Sequence, residues 1–154
     1  MFEQVIANHP FFMGMGEYNT NLIAEHCINT EFKPGEFIFK SDTPAQQFYI
    51  IQHGKVSLEI AGAKTGSVII QTLREGDVLG WSWLFAPYRW HFDARSVEHT
   101  IALFIEGKWL REYCEQDHDL GYILMNRVAQ LTIQRLQATR LQLLDLYGKS
   151  SERR

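Results

Sequence analysis

The side chains able to do covalent or metal chemistry are few and scattered. The six histidines, His9, His26, His53, His91, His99 and His118, include no His-x-His pair, whereas a metal site of the small-barrel kind needs several imidazoles and carboxylates converging on one point. Cys27 and Cys114 form no Cys-x-x-Cys and no Cys/His cluster. No disulfide framework is expected, and reduced thiols are the default. Ser82 stands in no Gly-x-Ser-x-Gly elbow, and no P-loop or dinucleotide fingerprint is present. The chain therefore does not read as an enzyme, and no metal site is expected. What remains is binding chemistry, and it concentrates between residues 80 and 92. Trp81, Trp83, Phe85, Tyr88, Trp90 and Phe92 lie in this stretch and include three of the four tryptophans. Such a run either packs a core or lines a pocket that holds a planar or lipid-like ligand by stacking and burial. Gly80, Trp81, Ser82, Trp83, Arg89 and Trp90 are the candidate ligand-binding residues. Ser82 and the backbone N–H groups near it offer a place for an anionic end. Strand alternation would put Arg89, His91, Asp93 and Arg95 on the face opposite Trp90, Phe92 and Ala94, which argues against one pocket collecting all of these groups.

The elements that must position this stretch are mostly strands. Residues 2–30 read as helical, with Thr20 as an N-cap and Leu22, Ile23 and Cys27 on one side. From Phe32 the pattern changes. Pro34-Gly35 turns into Phe37–Phe39, and a polar loop from Ser41 to Gln47 leads to Phe48–Ile51. His53-Gly54 turns into Val56–Ile60, which alternates as a half-buried strand does. Ser67–Leu73, Val78–Gly80, Trp90–Val97 and Ile101–Ile105 complete a set of short, evenly spaced strands, the pattern of an antiparallel sandwich or barrel. After Gly107 the helical period returns. Lys108–Gln116 forms one helix, and Asp117 or Asp119 caps a long one that runs to about Tyr147, with Gly148 as its stop.

On the long helix Ala129, Ile133, Leu136, Arg140, Leu143 and Tyr147 fall at alternating spacings of four and three, the heptad rhythm. Leu124, Val128 and Leu131 mark a second partial face. A helix with two apolar faces needs two partners: the β domain on one side and, on the other, a second copy of the chain. The alternative is a helix wholly buried on its own domain.

With 154 residues, 45% hydrophobic and 21% charged, the chain suits one globular domain. The net charge of −3 gives no general pull toward nucleic acid. Residues 1–106 carry 7 Lys/Arg against 12 Asp/Glu, and residues 107–154 carry 8 against 6. The C-terminal part is thus mildly basic, and Arg127, Arg135 and Arg140 make at most a weak basic patch. No signal peptide or membrane-spanning run is visible, so a cytoplasmic protein is expected.

Several short motifs, in order, carry a family resemblance. They are His9-Pro10-Phe11-Phe12, then Phe32 to Phe39 with Pro34-Gly35-Glu36 at its turn, then Phe48-Tyr49-Ile50-Ile51 with Gly54-Lys55-Val56. Glu75 to Gly80 and Ala94 to Thr100 follow. Together they resemble the cyclic nucleotide-binding domain of the catabolite-activator and fumarate–nitrate-regulator superfamily over nearly the whole chain. The resemblance implies a mainly β fold with flanking helices: an antiparallel, jelly-roll-like β-roll with its N-terminal helices at 1–116, a long C-terminal helix and dimerisation element at 117–147, and a tail at 148–154. It implies a cytoplasmic regulatory module, not an enzyme, that binds a cyclic nucleotide or another small ligand as its only cofactor-like group. It implies signalling through a homodimer or a partner protein. With only six residues after Gly148, no helix-turn-helix and no sequence-specific DNA binding are expected.

In the family a Glu directly after the cassette glycine takes the ribose hydroxyl, and an Arg further on neutralises the phosphate. Here Trp81 follows Gly80. The arginine position falls on Trp90 in one alignment and on Arg89 in the other, so the phosphate-binding cassette is degenerate. A hydrogen bond to a charged group contributes roughly 1.5–3 kcal/mol, so each lost anchor weakens binding by about 10–100-fold. Three readings follow: a sensor for a non-standard ligand, a conventional cAMP or cGMP receptor using Arg89, and a protein-interaction dimer whose pocket no longer functions.

Overall fold

Phe48-Tyr49-Ile50-Ile51 is apolar at every position, which a strand tolerates only when both of its faces are covered. The computed structural model, which describes residues 1–62 and 66–152, shows what covers them. The eight strands are β1 (Ile28–Phe32), β2 (Phe37–Phe39), β3 (Gln47–His53), β4 (Lys55–Gly62), β5 (Gly66–Arg74), β6 (Val78–Leu79), β7 (Asp93–Ser96) and β8 (Thr100–Glu106). They form two four-stranded sheets, ordered β1-β8-β3-β6 and β2-β7-β4-β5, with antiparallel pairing. Period-two alternation sends Tyr49 and Ile51 between the sheets, where they meet Val56, Leu58, Leu73, Leu79, Ala94 and Ala102. Phe48 and Ile50 point the other way, into a layer of helices. This is the antiparallel sandwich that the strand spacing predicts, in the form of the β-roll with flanking helices that the resemblance implies.

The helical layer consists of α1 (Glu3–Asn8), a 3₁₀ turn (Pro10–Phe12), α2 (Glu17–Glu25), α3 (Gly107–Gln116) and α4 (His118–Glu152). Ile6, Phe11, Phe12, Ile23, Leu110, Leu120, Leu124 and Val128 bury themselves against Phe48, Leu103 and Ile105. His9 caps the 3₁₀ turn by accepting from the Phe11 N–H at its Nδ1, 3.1 Å away. Asp117 ends α3 and starts α4, its Oδ1 accepting from the Leu120 N–H at 3.1 Å, as the sequence anticipates.

Four expectations are corrected. Residues 2–30 are not one helical stretch: Ile28 already belongs to β1, which pairs with β8 from Ile28↔Phe104 to Phe32↔Thr100. Thr20 does not cap α2. Gly16 stands at that position, and Thr20 is a buried residue inside the helix whose hydroxyl donates to the Glu17 carbonyl. Gly148 does not stop α4, which continues to Glu152, since a helical glycine costs only about 1 kcal/mol against alanine. The strand expected from Trp90 begins only at Asp93, because residues 88–90 pair with the 42–45 loop instead, through Asp42 N–H to Trp90 O, Trp90 N–H to Thr43 O and Ala45 N–H to Tyr88 O.

The proximal part of α4 packs on the roll, and from Ile133 onward the helix also carries exposed apolar side chains. Leu120, Leu124 and Val128 are buried, whereas Ile133, Leu136, Leu141, Leu143, Leu144 and Tyr147 are all more than half exposed. No helix among the described residues is long and apolar enough to cross a membrane.

Candidate ligand-binding site

Gly80 closes β6 with φ +85°, and a Cβ there would stand 2.6 Å from Cη2 of Trp90. The close approach allows Trp90 to lie flat on Phe39 of β2, with ring centroids 3.8 Å apart and planes 9° off parallel. After Gly80 the chain makes a 3₁₀ turn, Ser82–Leu84, and its two tryptophans part ways. Trp83 goes inward, is 1% exposed, donates from Nε1 to the Gly80 carbonyl at 2.7 Å, and packs edge-on to Phe48. Gly107 lets it in, because a Cβ at Gly107 would meet the Trp83 side chain at 2.5 Å. Trp81 faces a cavity of about 420 Å³ between the roll and α4.

That cavity is lined from the roll by Phe39, Leu58, Gly80, Trp81, Ser82 and Trp90, together with Phe85, His91 and Phe92. From α4 come Thr132, Arg135, Leu136 and Thr139, whose i, i+3, i+4, i+7 spacing is one helical face. Of the six candidates read from the sequence, Gly80, Trp81, Ser82 and Trp90 share the cavity. Trp83 lies behind it in the core.

Arg89 lies outside it. Its Nε donates to Asp42 Oδ1 at 2.9 Å and its Nη2 to the Asp42 carbonyl, and it lines a separate surface concavity with Pro44, Tyr88 and Arg111. His91 and Phe92 both line the cavity, contrary to the alternation expected for a strand, because the strand has not yet begun there. Arg95 is engaged elsewhere too, pairing at 2.8 Å with Glu59, which is 2% exposed and also accepts from the Ser57 hydroxyl.

The sequence reading missed the α4 side of the cavity. Arg135 is half-buried, and desolvation pushes its value down to about 10, so it keeps its charge at neutral pH. Its guanidinium carbon stands 4.2 Å from the centre of the Trp81 ring and 5.7 Å from that of Phe92, and its Nε donates to Gln71 of β5 at 3.2 Å. The one signal in the sequence was the helical face of residues 132, 135, 136 and 139, and nothing local shows that it lies over the cassette. The thiols take no part. Burial raises Cys27 to about 12 and Cys114 to about 11, which leaves both as unreactive thiols at neutral pH. Among the described residues no group of three His, Cys, Asp or Glu side chains is placed to hold a metal.

A roll of two antiparallel four-stranded sheets, with a glycine-led cassette at one end and a long helix crossing it, defines the class of the domain. The family model described as cyclic nucleotide-binding domain matches residues 29–117, and the chain belongs to that family. A solved protein of Geobacter metallireducens assigned to cyclic nucleotide binding is similar at a TM-score of 0.79 and 26% identity, over 88% of this chain and 98% of the other. The regulatory subunit of a cAMP-independent protein kinase A from Trypanosoma cruzi, solved bound to guanosine, is similar at 0.63 and 22%, over 84% of this chain and 50% of the other. Among curated proteins, the HTH-type transcriptional regulator Cmr of Mycobacterium tuberculosis is 22% identical over 85% of this chain and 52% of its own length. The chain thus spans about half of that relative, and only 13% of the human cyclic nucleotide-gated channel beta-3, which is 32% identical over 68% of this chain.

Proposed function

We propose that this domain is a ligand-sensing regulatory module whose cavity takes a small molecule other than a conventionally bound cyclic nucleotide, and that α4 passes the signal to a second copy of the chain. One observation carries the reading: Trp81 stands directly after the cassette glycine, and of the two residues that could hold the phosphate position, Trp90 lines the cavity with its ring while Arg89 is tied to Asp42 outside it. The walls that remain suit a flat, largely apolar body. The fold neighbour bound to guanosine, a nucleoside with no phosphate, is consistent with a roll of this kind holding a ligand without the phosphate grip. The exposed heptad residues of distal α4 supply the surface for a second copy.

Isothermal titration of the protein with cAMP and cGMP, repeated on Arg89→Ala, tests the ligand. No heat of binding is expected for either nucleotide with either protein. Micromolar binding that Arg89→Ala removes would replace this reading by a conventional receptor that uses Arg89.

A further inference from the structure

The cavity receives its charge from α4. Arg135 stands over the Trp81 ring, beside Phe92, with its Nε on Gln71. Among the described residues no carboxylate lies within ion-pair distance of it, and neither of its terminal nitrogens donates to a protein acceptor. None of the cavity's lining residues is acidic. A half-buried cation with no counter-charge beside it is under-compensated, and here it is left with a two-pronged donor edge for an anion to complete. The rest of the wall is largely ring surface, from Trp81, Trp90, Phe39 and Phe92 among others, with hydroxyls at Ser82, Thr132 and Thr139 and the imidazole of His91.

We infer that Arg135 anchors the anionic end of the ligand, and that the ligand is an aromatic organic anion: a flat ring body against the tryptophans, with one carboxylate or sulfonate on the guanidinium. The inference rests on the cavity being a ligand site and adds the chemical class of its occupant. A neutral aromatic compound would fill the same walls but leave the cation unmatched. A ligand held in this way touches α4 directly, at the residue next to Leu136 of the heptad stripe.

Two dyes that differ only in the anionic group test this. They are 1-anilinonaphthalene-8-sulfonate and the neutral N-phenyl-1-naphthylamine, titrated into the full chain with tryptophan excitation and dye emission as the readout. The sulfonate is expected to bind more tightly than the neutral dye. Arg135→Met should weaken the sulfonate by about 10–100-fold and leave the neutral dye within about twofold, so that neutral-dye binding also reports a folded cavity. Arg135→Lys, which keeps the charge but not the fork, should fall between. Thr132→Trp, at an exposed helix position that lines the cavity, should exclude both dyes. If both dyes bind, both are excluded by Thr132→Trp, and Arg135→Met affects them equally or not at all, the role of Arg135 is overturned while the cavity stands as a ligand site. If neither dye binds, or Thr132→Trp displaces neither, the cavity itself is not a ligand site and both readings fall.

Discussion

Gly80 answers to two constraints at once. Its φ of +85° is one that side chains with a Cβ rarely adopt, and the space a Cβ would need is filled by the Trp90 ring at 2.6 and 2.8 Å. Gly76 has a similar φ of +91° but nothing within 4 Å. Gly76→Ala should therefore cost only the backbone penalty, about 1–2 kcal/mol. Gly80→Ala should add the overpacking of Trp90 against Phe39, for about 2–5 kcal/mol in all. Urea unfolding of the two variants measures the difference, and equal costs would mean that Trp90 moves aside freely. At this scale the candidate site was partly legible. The glycine and the tryptophans after it mark the cassette, and Gly80, Trp81, Ser82 and Trp90 do meet. Which way each ring turns was not legible, because Trp83 is drawn inward by a carbonyl one turn back and a gap left by Gly107, 24 positions away in the chain. Nor was the destination of Arg89, which depends on Asp42 in a loop that the strand pattern leaves unplaced.

The elements follow the hydrophobic period wherever both periods are clean. β3, β4 and β5 and the two C-terminal helices lie where alternation and helical spacing place them. β1 was missed because Ile28-Asn29-Thr30-Glu31-Phe32 has only two apolar positions and takes its strand form from pairing with β8, a long-range contact. The junction between the N-terminal helices and the roll hangs on His9. Its Nδ1 accepts from Phe11 N–H while its Nε2 lies 2.6 Å from the Gly76 carbonyl, and the two together require the neutral ring with the proton on Nε2. Burial lowers its value below the ordinary 6.5, with the Gly76 carbonyl and Asp77 opposing. A base favoured neutral in the fold contributes stability that is fully present above the unfolded value and is lost as pH falls through it toward the lower folded value. The melting temperature is therefore expected to drop between pH 7.5 and pH 5.5, as a rough window around the free imidazole value. In His9→Asn, which keeps a capping side chain but does not titrate, the drop should be smaller. An identical drop in both proteins would assign it to other groups.

Across the whole molecule α4 has two duties that fall on adjacent faces. Thr132, Arg135, Leu136 and Thr139 close the cavity, and Ile133, Leu136, Leu143 and Tyr147 stand exposed along the heptad stripe, with Leu136 common to both. A parallel pair of such helices would bury the stripe at its a and d positions, with Arg140 facing its counterpart at an a position. A polar residue there fixes register at a cost in stability. The chain is accordingly expected to sediment as a reversible dimer. Leu143→Glu should shift it to monomer by placing two like charges in the seam. Leu141→Glu should change nothing, because Leu141, although 68% exposed, falls one position beyond Arg140 on the outer side of the heptad. Arg140→Leu should tighten the pair, since it removes the facing charges and adds apolar burial. Sedimentation equilibrium of the four proteins decides the matter: a wild-type chain that is monomeric at every concentration, or a Leu141→Glu effect equal to that of Leu143→Glu, would remove the stripe as an interface. If the stripe holds, an anion on Arg135 acts one residue from the seam. Any difference it makes to the dimerisation free energy must then appear, by linkage, as the same total difference between its binding to dimer and to monomer, summed over the dimer's two sites.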